Sequence, residues 1–198
     1  MCQRYASDIA CLCEYAFDSD SNASCFFLSA SLAEGSFDAE CKEFWENDGL
    51  KQLTQTTKPL SEYKGADFKV IFFVGGFGTM SDFPQSDAVA TVGKEVYESG
   101  GVVAAVCHGP SALINIKLSD GEYLVKGKTL TAFTNEEEGH VGLPLPDKSC
   151  QDALSERGAT FVTSPAWSSH VQSSERVMTG QNPGSAGALG EAIVAAIA

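Results

Sequence analysis

The apolar positions of this chain fall into short continuous runs separated by stretches with helical spacing. The cleanest run, Val102-Val103-Ala104-Ala105-Val106, contains no polar residue, the pattern of a strand covered on both faces of a parallel sheet. Residues 69–74 form a second such strand, which ends in Gly75-Gly76-Phe77-Gly78. Between the two, 87–99 reads as a helix with Val89, Val92 and Val96 inward, closed by Gly100 and Gly101. Upstream, 5–17 reads as a helix with Ile9, Leu12 and Ala16 at helical spacing. A polar break follows over 18–22, then a short strand over 25–28, and a helix over 49–55 capped by Asn47 or Asp48. Downstream, a helix opens at Gly109-Pro110 and runs to Ile114. A strand over 128–133 leads to an acidic loop or short helix over 134–139 and an extended connector over 143–146. A helix over 147–157, a strand over 160–162, a hairpin-like pair (167–171 and 176–179) and a small-residue helix over 184–198 complete the chain. Strands alternating with helices predict an α/β layer fold with a largely parallel sheet. No repeat or linker divides the 198 residues, so 1–198 reads as one domain.

Composition narrows the function classes. A hydrophobic content of 43% supports a substantial core, and a net charge of −13 without a basic patch argues against a nucleic-acid partner. No run approaches the ~18 apolar residues that span a bilayer, and the N-terminus lacks the pattern of a secretory signal. No membrane association and a cytoplasmic setting are expected. Seven cysteines without a CxxC pair, and only three histidines, argue against zinc. No metal or cofactor is expected.

Candidate chemistry centres on Cys107. The strand 102–106 stops at Cys107-His108, and Gly109-Pro110 open the next helix, where proline's missing N–H is tolerated. A nucleophile on such a strand-to-helix turn is lifted out of the sheet and surrounded by backbone N–H groups, the logic of a nucleophile elbow. The same setting is expected to lower the thiol's pKa. Gly75-Gly76 follows a neighbouring strand, and in open α/β sheets sites lie at the carboxyl ends of strands. Its N–H groups could approach a reacting oxygen. The other six cysteines read as small buried apolar residues. In the run Glu136-Glu137-Glu138, Glu136 and Glu137 read as a solvated face. His140 and His170 read as surface or partner-satisfied histidines.

Taken together, GGVVAAVCHGP (100–110) and FFVGGFGTMSDFP (72–84) resemble the DJ-1/PfpI superfamily. FTNEEEGHVGLPL (133–145) and VMTGQNPGSA (177–186) narrow the resemblance to its glutathione-independent glyoxalase branch, also described as heat-shock chaperone-like and as protein deglycases. The resemblance covers about 36–198. It implies a flavodoxin-like three-layer α/β sandwich, often a homodimer, acting on a small dicarbonyl substrate. By position, Cys107 is the implied nucleophile, His108 its partner and Glu138 the acid that orients the histidine. Gly76 and His108 N–H groups form the implied oxyanion pocket. Asp8 occupies the place of a glutamate that shuttles protons from the first helix.

The chain departs from the branch in three ways. Asp8 is one methylene shorter than glutamate, and a displacement of about 1 Å at a catalytic group can cost on the order of 100-fold in rate. Phe77 replaces a histidine of the glycine turn. Met1 stands almost at the first helix, so the strand that should precede it is expected to be missing. The implied activity is conversion of methylglyoxal to D-lactate through a cysteine hemithioacetal. The alternative is a stress-response holdase, redox sensor or protein deglycase with little glyoxalase turnover. A peptidase or amidotransferase is disfavoured, because no downstream His-x-Glu pair exists and His170 is followed by Val171.

Overall fold

The computed structural model describes residues 9–12 (backbone only), 46–49, 52 and 59–198. The core of the molecule is a five-stranded sheet in the order β1-β2-β3-β7-β6. Its strands are β1 (Ile9–Leu12), β2 (Val70–Phe73), β3 (Val102–Val106), β6 (Val171–Ser174) and β7 (Val177–Gly180). Neighbours run parallel except β6, which returns antiparallel to β7. Strands β4 (Thr129–Leu130) and β5 (Thr160–Phe161) form a separate parallel pair.

The register places Val70 beside Val102 and Phe73 beside Ala105. Because side chains alternate across a sheet, the strands divide into two buried layers. Ile71, Phe73, Val103, Ala105 and Val177 face one layer. There α1 (Asp87–Glu98) contributes Val89, Val92 and Val96, the three positions its spacing predicts. Val70, Val102, Ala104, Val106 and Met178 face the other layer, where Leu189 and Ile193 of α4 (Ala186–Ile197) pack. This is the three-layer α/β sandwich with a mostly parallel sheet that the sequence implied. Ser86 caps α1 by accepting from Val89 N–H. After β4 come α2 (Asn135–Val141) and α3 (Cys150–Glu156), of which α3 packs Cys150 and Leu154 into the first layer.

One element differs from expectation. Where 5–17 was expected to be helical, Ile9–Leu12 is extended and pairs in parallel with all of β2, Ile9 beside Val70 and Leu12 beside Phe73. Four consecutive apolar residues satisfy a helix stripe and a buried strand equally well, and the open edge of β2 decides between them. The segment expected to be helical over 9–12 thus takes a strand position in the sheet. Asp8 itself, the rest of 5–17 and the strand expected over 25–28 lie outside the described residues. Gly49 and Gln52 are helical; most of the helix expected over 49–55 also lies outside them.

Candidate active site

The carboxyl ends of β2, β3 and β7 deliver three loops to one edge of the sheet: Gly75-Gly76, Cys107-His108 and Gln181-Asn182. Cys107 sits at φ 61°, in the left-handed region. Its N–H donates to Gly180 O and its own O accepts from Phe133 N–H, both at 2.9 Å. The elbow is thus pinned from both sides in a conformation that costs a non-glycine residue about 1–2 kcal/mol. The chain after it forms a 3-10 turn, Gly109–Leu113, with Pro110 in the first turn. Gly109 passes so close to β2 that a Cβ there would lie 2.1 Å from Phe73 O. Gly75 is as tightly placed, with a Cβ position 2.7 Å from Cys107 Cβ. The Thr79 hydroxyl lies 2.8 Å from Gly76 O and 3.2 Å from His108 O. It ties the glycine turn to the elbow, a contact that no sequence motif signalled.

His108 Nδ1 stands 3.3 Å from Cys107 Sγ, and its Nε2 stands 3.0 Å from Glu138 Oε1. The chain Cys107–His108–Glu138 is therefore assembled as expected, and all three residues are buried. Phe133 lies against the imidazole at 4.3 Å between ring centroids, and Phe77 meets it edge-on at 5.5 Å. These walls govern the ionisation states. Burial pushes the Cys107 thiol up to about 12. The backbone N–H groups of His108 and Gly76 oppose this by favouring the thiolate, while the charges of Glu137 and Glu138 reinforce it. The expectation of a lowered thiol pKa is corrected here: at this elbow desolvation of the thiolate outweighs the backbone donors. Burial also pulls His108 down to about 4, against the charge of Glu137. Burial, then the neighbouring charge of Glu137, pushes Glu138 up to about 7. Its Oε2 is buried without a partner among the described residues.

Glu137 was read as solvated, and the structure corrects this. It is 0% exposed. Its Oε2 accepts from the N–H and hydroxyl of Thr134, and its Oε1 from Trp167 N–H, the Asn182 amide and the Gln181 amide. Thr134 and Glu137 form a capping box at the start of α2. The Thr-x-x-Glu spacing was the available sequence signal. Glu136 is exposed, as expected. Trp167, at φ 65°, stacks on His140 and meets Phe133 edge-on. Cys150, fully buried at the start of α3, points its thiol toward His108 O at 3.7 Å. Among the described residues no group of three or more His, Cys, Asp or Glu could hold a metal ion, and no helix is long and apolar enough to cross a membrane.

A buried thiol on a strained strand-to-helix turn, backed by histidine and carboxyl at the edge of a parallel sheet, defines a cysteine-elbow α/β protein. The chain belongs to the DJ-1/PfpI family, whose pattern it matches over residues 30–196. Its relatives include a glutathione-independent glyoxalase of Schizosaccharomyces pombe, 33% identical in an alignment of 170 residues that covers 81% of this chain and 68% of the relative. Glyoxalase 3 of Candida albicans is 34% identical over 81% of this chain and 68% of its own. Among solved structures, glyoxalase III from Candida albicans superposes with a TM-score of 0.78 at 30% identity, covering 84% of this chain and 74% of that one. The Rapid Encystment Protein of Francisella tularensis gives 0.80 at 34% identity, covering 87% and 76%.

Proposed function

We propose that this chain is a glutathione-independent glyoxalase that converts methylglyoxal to D-lactate at Cys107. The observation that carries this reading is the continuous contact from Cys107 Sγ through both ring nitrogens of His108 to Glu138. The glyoxalase names of relatives on both sides of the comparison support it.

With Glu138 ionised, its Oε1 accepts from Nε2–H, and Nδ1 turns a lone pair toward the thiol. The S–H proton passes to Nδ1 as sulfur adds to the aldehyde carbon, giving a hemithioacetal. The N–H groups of Gly76 and His108, which favour negative charge at the sulfur, stabilise the oxyanion until His108 returns the proton. Removal of the proton on the former aldehyde carbon gives an enediol, and reprotonation at the adjacent carbon gives the lactyl thioester. Water then cleaves the thioester and restores the thiol. Oxidation of one carbon and reduction of its neighbour balance internally, so no cofactor enters. His108 is the base that the described residues supply for the carbon proton, and Asp8 is a second base carried by the resemblance alone. Cys107→Ser is expected to abolish lactate formation from methylglyoxal. Lactate production unchanged in that variant would sink the scheme.

One observation favours a second reading, a holdase surface. Trp167, whose ring meets Phe133, is 51% exposed, and Val141, Leu143 and Leu145 are exposed at and after the end of α2, apolar surface suited to unfolded chains. Suppression of aggregation by the Cys107→Ser variant is the measurement that separates this activity from the enzyme. The redox-sensor alternative is less favoured, because such sensors rely on solvent-accessible thiols and Cys107 is buried. A homodimer in the cytoplasm completes the proposed reading.

A further inference from the structure

We propose that Glu137 is a positioning residue of this site, a permanently ionised hub that fastens the Trp167 wall over it and confines the mobile proton to Cys107, His108 and Glu138. The inference rests on Cys107 being the nucleophile, but not on its substrate. Five donors from four places in the chain converge on the Glu137 carboxylate: Thr134 N–H and hydroxyl, Trp167 N–H, the Gln181 amide and the Asn182 amide. A carboxylate offers about four lone-pair sites, so every direction around it is taken, and a proton would have to displace a donor. Burial favours the neutral acid, yet the donors from Trp167, Asn182, Thr134 and Gln181 outweigh it and hold the group below the usual range.

Its chain neighbour has the opposite environment. Among the described residues Glu138 has one side-chain partner, His108, and one buried oxygen without a partner. Two adjacent carboxyl groups whose surroundings push them apart divide the work: one stays charged, the other exchanges protons. The hub also decides the wall. Trp167 holds φ 65°, a strained conformation for a bulky residue, and its N–H is spent on Glu137. From there its ring reaches Phe133, which packs on His108. The titratable groups facing Cys107 among the described residues are His108 from its own turn, Glu137 and Glu138 from α2, and Cys150 from α3.

The test is the rate of Cys107 alkylation by iodoacetamide at pH 8, read on the Cys107 peptide by mass spectrometry and compared with a melting curve for each variant. Glu137→Gln removes the fixed anion and is expected to raise the rate about tenfold, as a downward shift of one pH unit in the thiol requires. Asn182→Ala keeps the anion but strips it of one donor. It therefore strengthens the negative field at the sulfur, and the rate is expected to fall. Opposite signs at one hub are what simple loosening cannot produce, since loosening exposes the thiol in both variants. A faster rate in both, or no change in a folded Glu137→Gln, overturns the proposal. If Glu137→Gln does not fold, Asn182→Ala decides alone: a slower rate supports the hub, and a faster or unchanged rate overturns it. Methylglyoxal plays no part, so failure here and failure of the glyoxalase reading are told apart by the Cys107→Ser assay.

Discussion

Glu138 gives Oε1 to His108 Nε2 at 3.0 Å and leaves Oε2 buried with no partner among the described residues. One carboxyl thus makes the contact that orients the histidine and bears the desolvation that makes its own charge unfavourable.

The pH dependence of stability follows from that pair. Burial raises Glu138 to about 7, so the folded state holds a proton that the unfolded state releases near 4.5. The stability Glu138 contributes is present at low pH and is lost as pH rises from about 4.5 through about 7. Glu138→Gln keeps an oxygen for Nε2–H and cannot ionise. Relative to the parent, its melting temperature is expected to gain between pH 5 and pH 8. Its turnover of methylglyoxal is expected to fall by about 100-fold, and the rise of the parent's kcat/KM through pH 7 to disappear. Parallel melting temperatures across that range would refute the assignment.

The thiol makes a second prediction. A group pushed up to about 12 is almost wholly protonated at neutral pH. Cys107 is therefore expected to react with iodoacetamide far more slowly than a free cysteine, whose pKa is about 8.5, with a rate still climbing at pH 10. A plateau near pH 8 would show that the thiolate is already formed at rest.

The aromatic walls make a third. Phe77 and Phe133 keep water from His108, whose value near 4 is set first by burial. Phe77 is half-buried, so Phe77→Ala admits solvent without emptying the core. The His108 imidazole signals, followed by nuclear magnetic resonance, are expected to titrate about one pH unit higher than in the parent. An unchanged titration would assign the shift to Phe133 and the elbow alone.

Close backbone approach makes a fourth. A methyl at Gly109 would meet Phe73 O at 2.1 Å, in a buried place where the elbow leans on β2. Gly109→Ala is expected to lower stability by about 3 kcal/mol, measured by chemical denaturation. Gly139, with open space around its Cβ position, provides the control: Gly139→Ala, at an exposed position of α2, should be neutral or slightly stabilising.

How far the sequence reveals this molecule depends on whether a property is local. The 102–106 strand was legible because burial on both faces demands an unbroken apolar run. The turn after it was legible because Gly109-Pro110 marks where a helix opens. The place of Glu138 came through the resemblance. Ile9–Leu12 was misread because its four apolar residues suit either period, and only the edge of β2 chooses. Glu137 was misread because a charge run looks solvated until Trp167, Gln181 and Asn182 are seen to converge on it. The state of the thiol was misread because desolvation depends on what covers the sulfur, and Phe133 lies 26 residues away in a chain whose folding alone brings it there.

The left-handed backbone at Cys107 has a consequence beyond chemistry. Among the described residues outside glycine, positive φ occurs only at Cys107, Trp167 and Glu175, and the first two build the site. Glycine would occupy position 107 with less backbone strain than cysteine does. A lineage drifting under selection for foldability alone would be drawn toward that replacement. The sulfur is held there against the backbone's preference, so Cys107→Gly is expected to relieve that strain while removing the thiol.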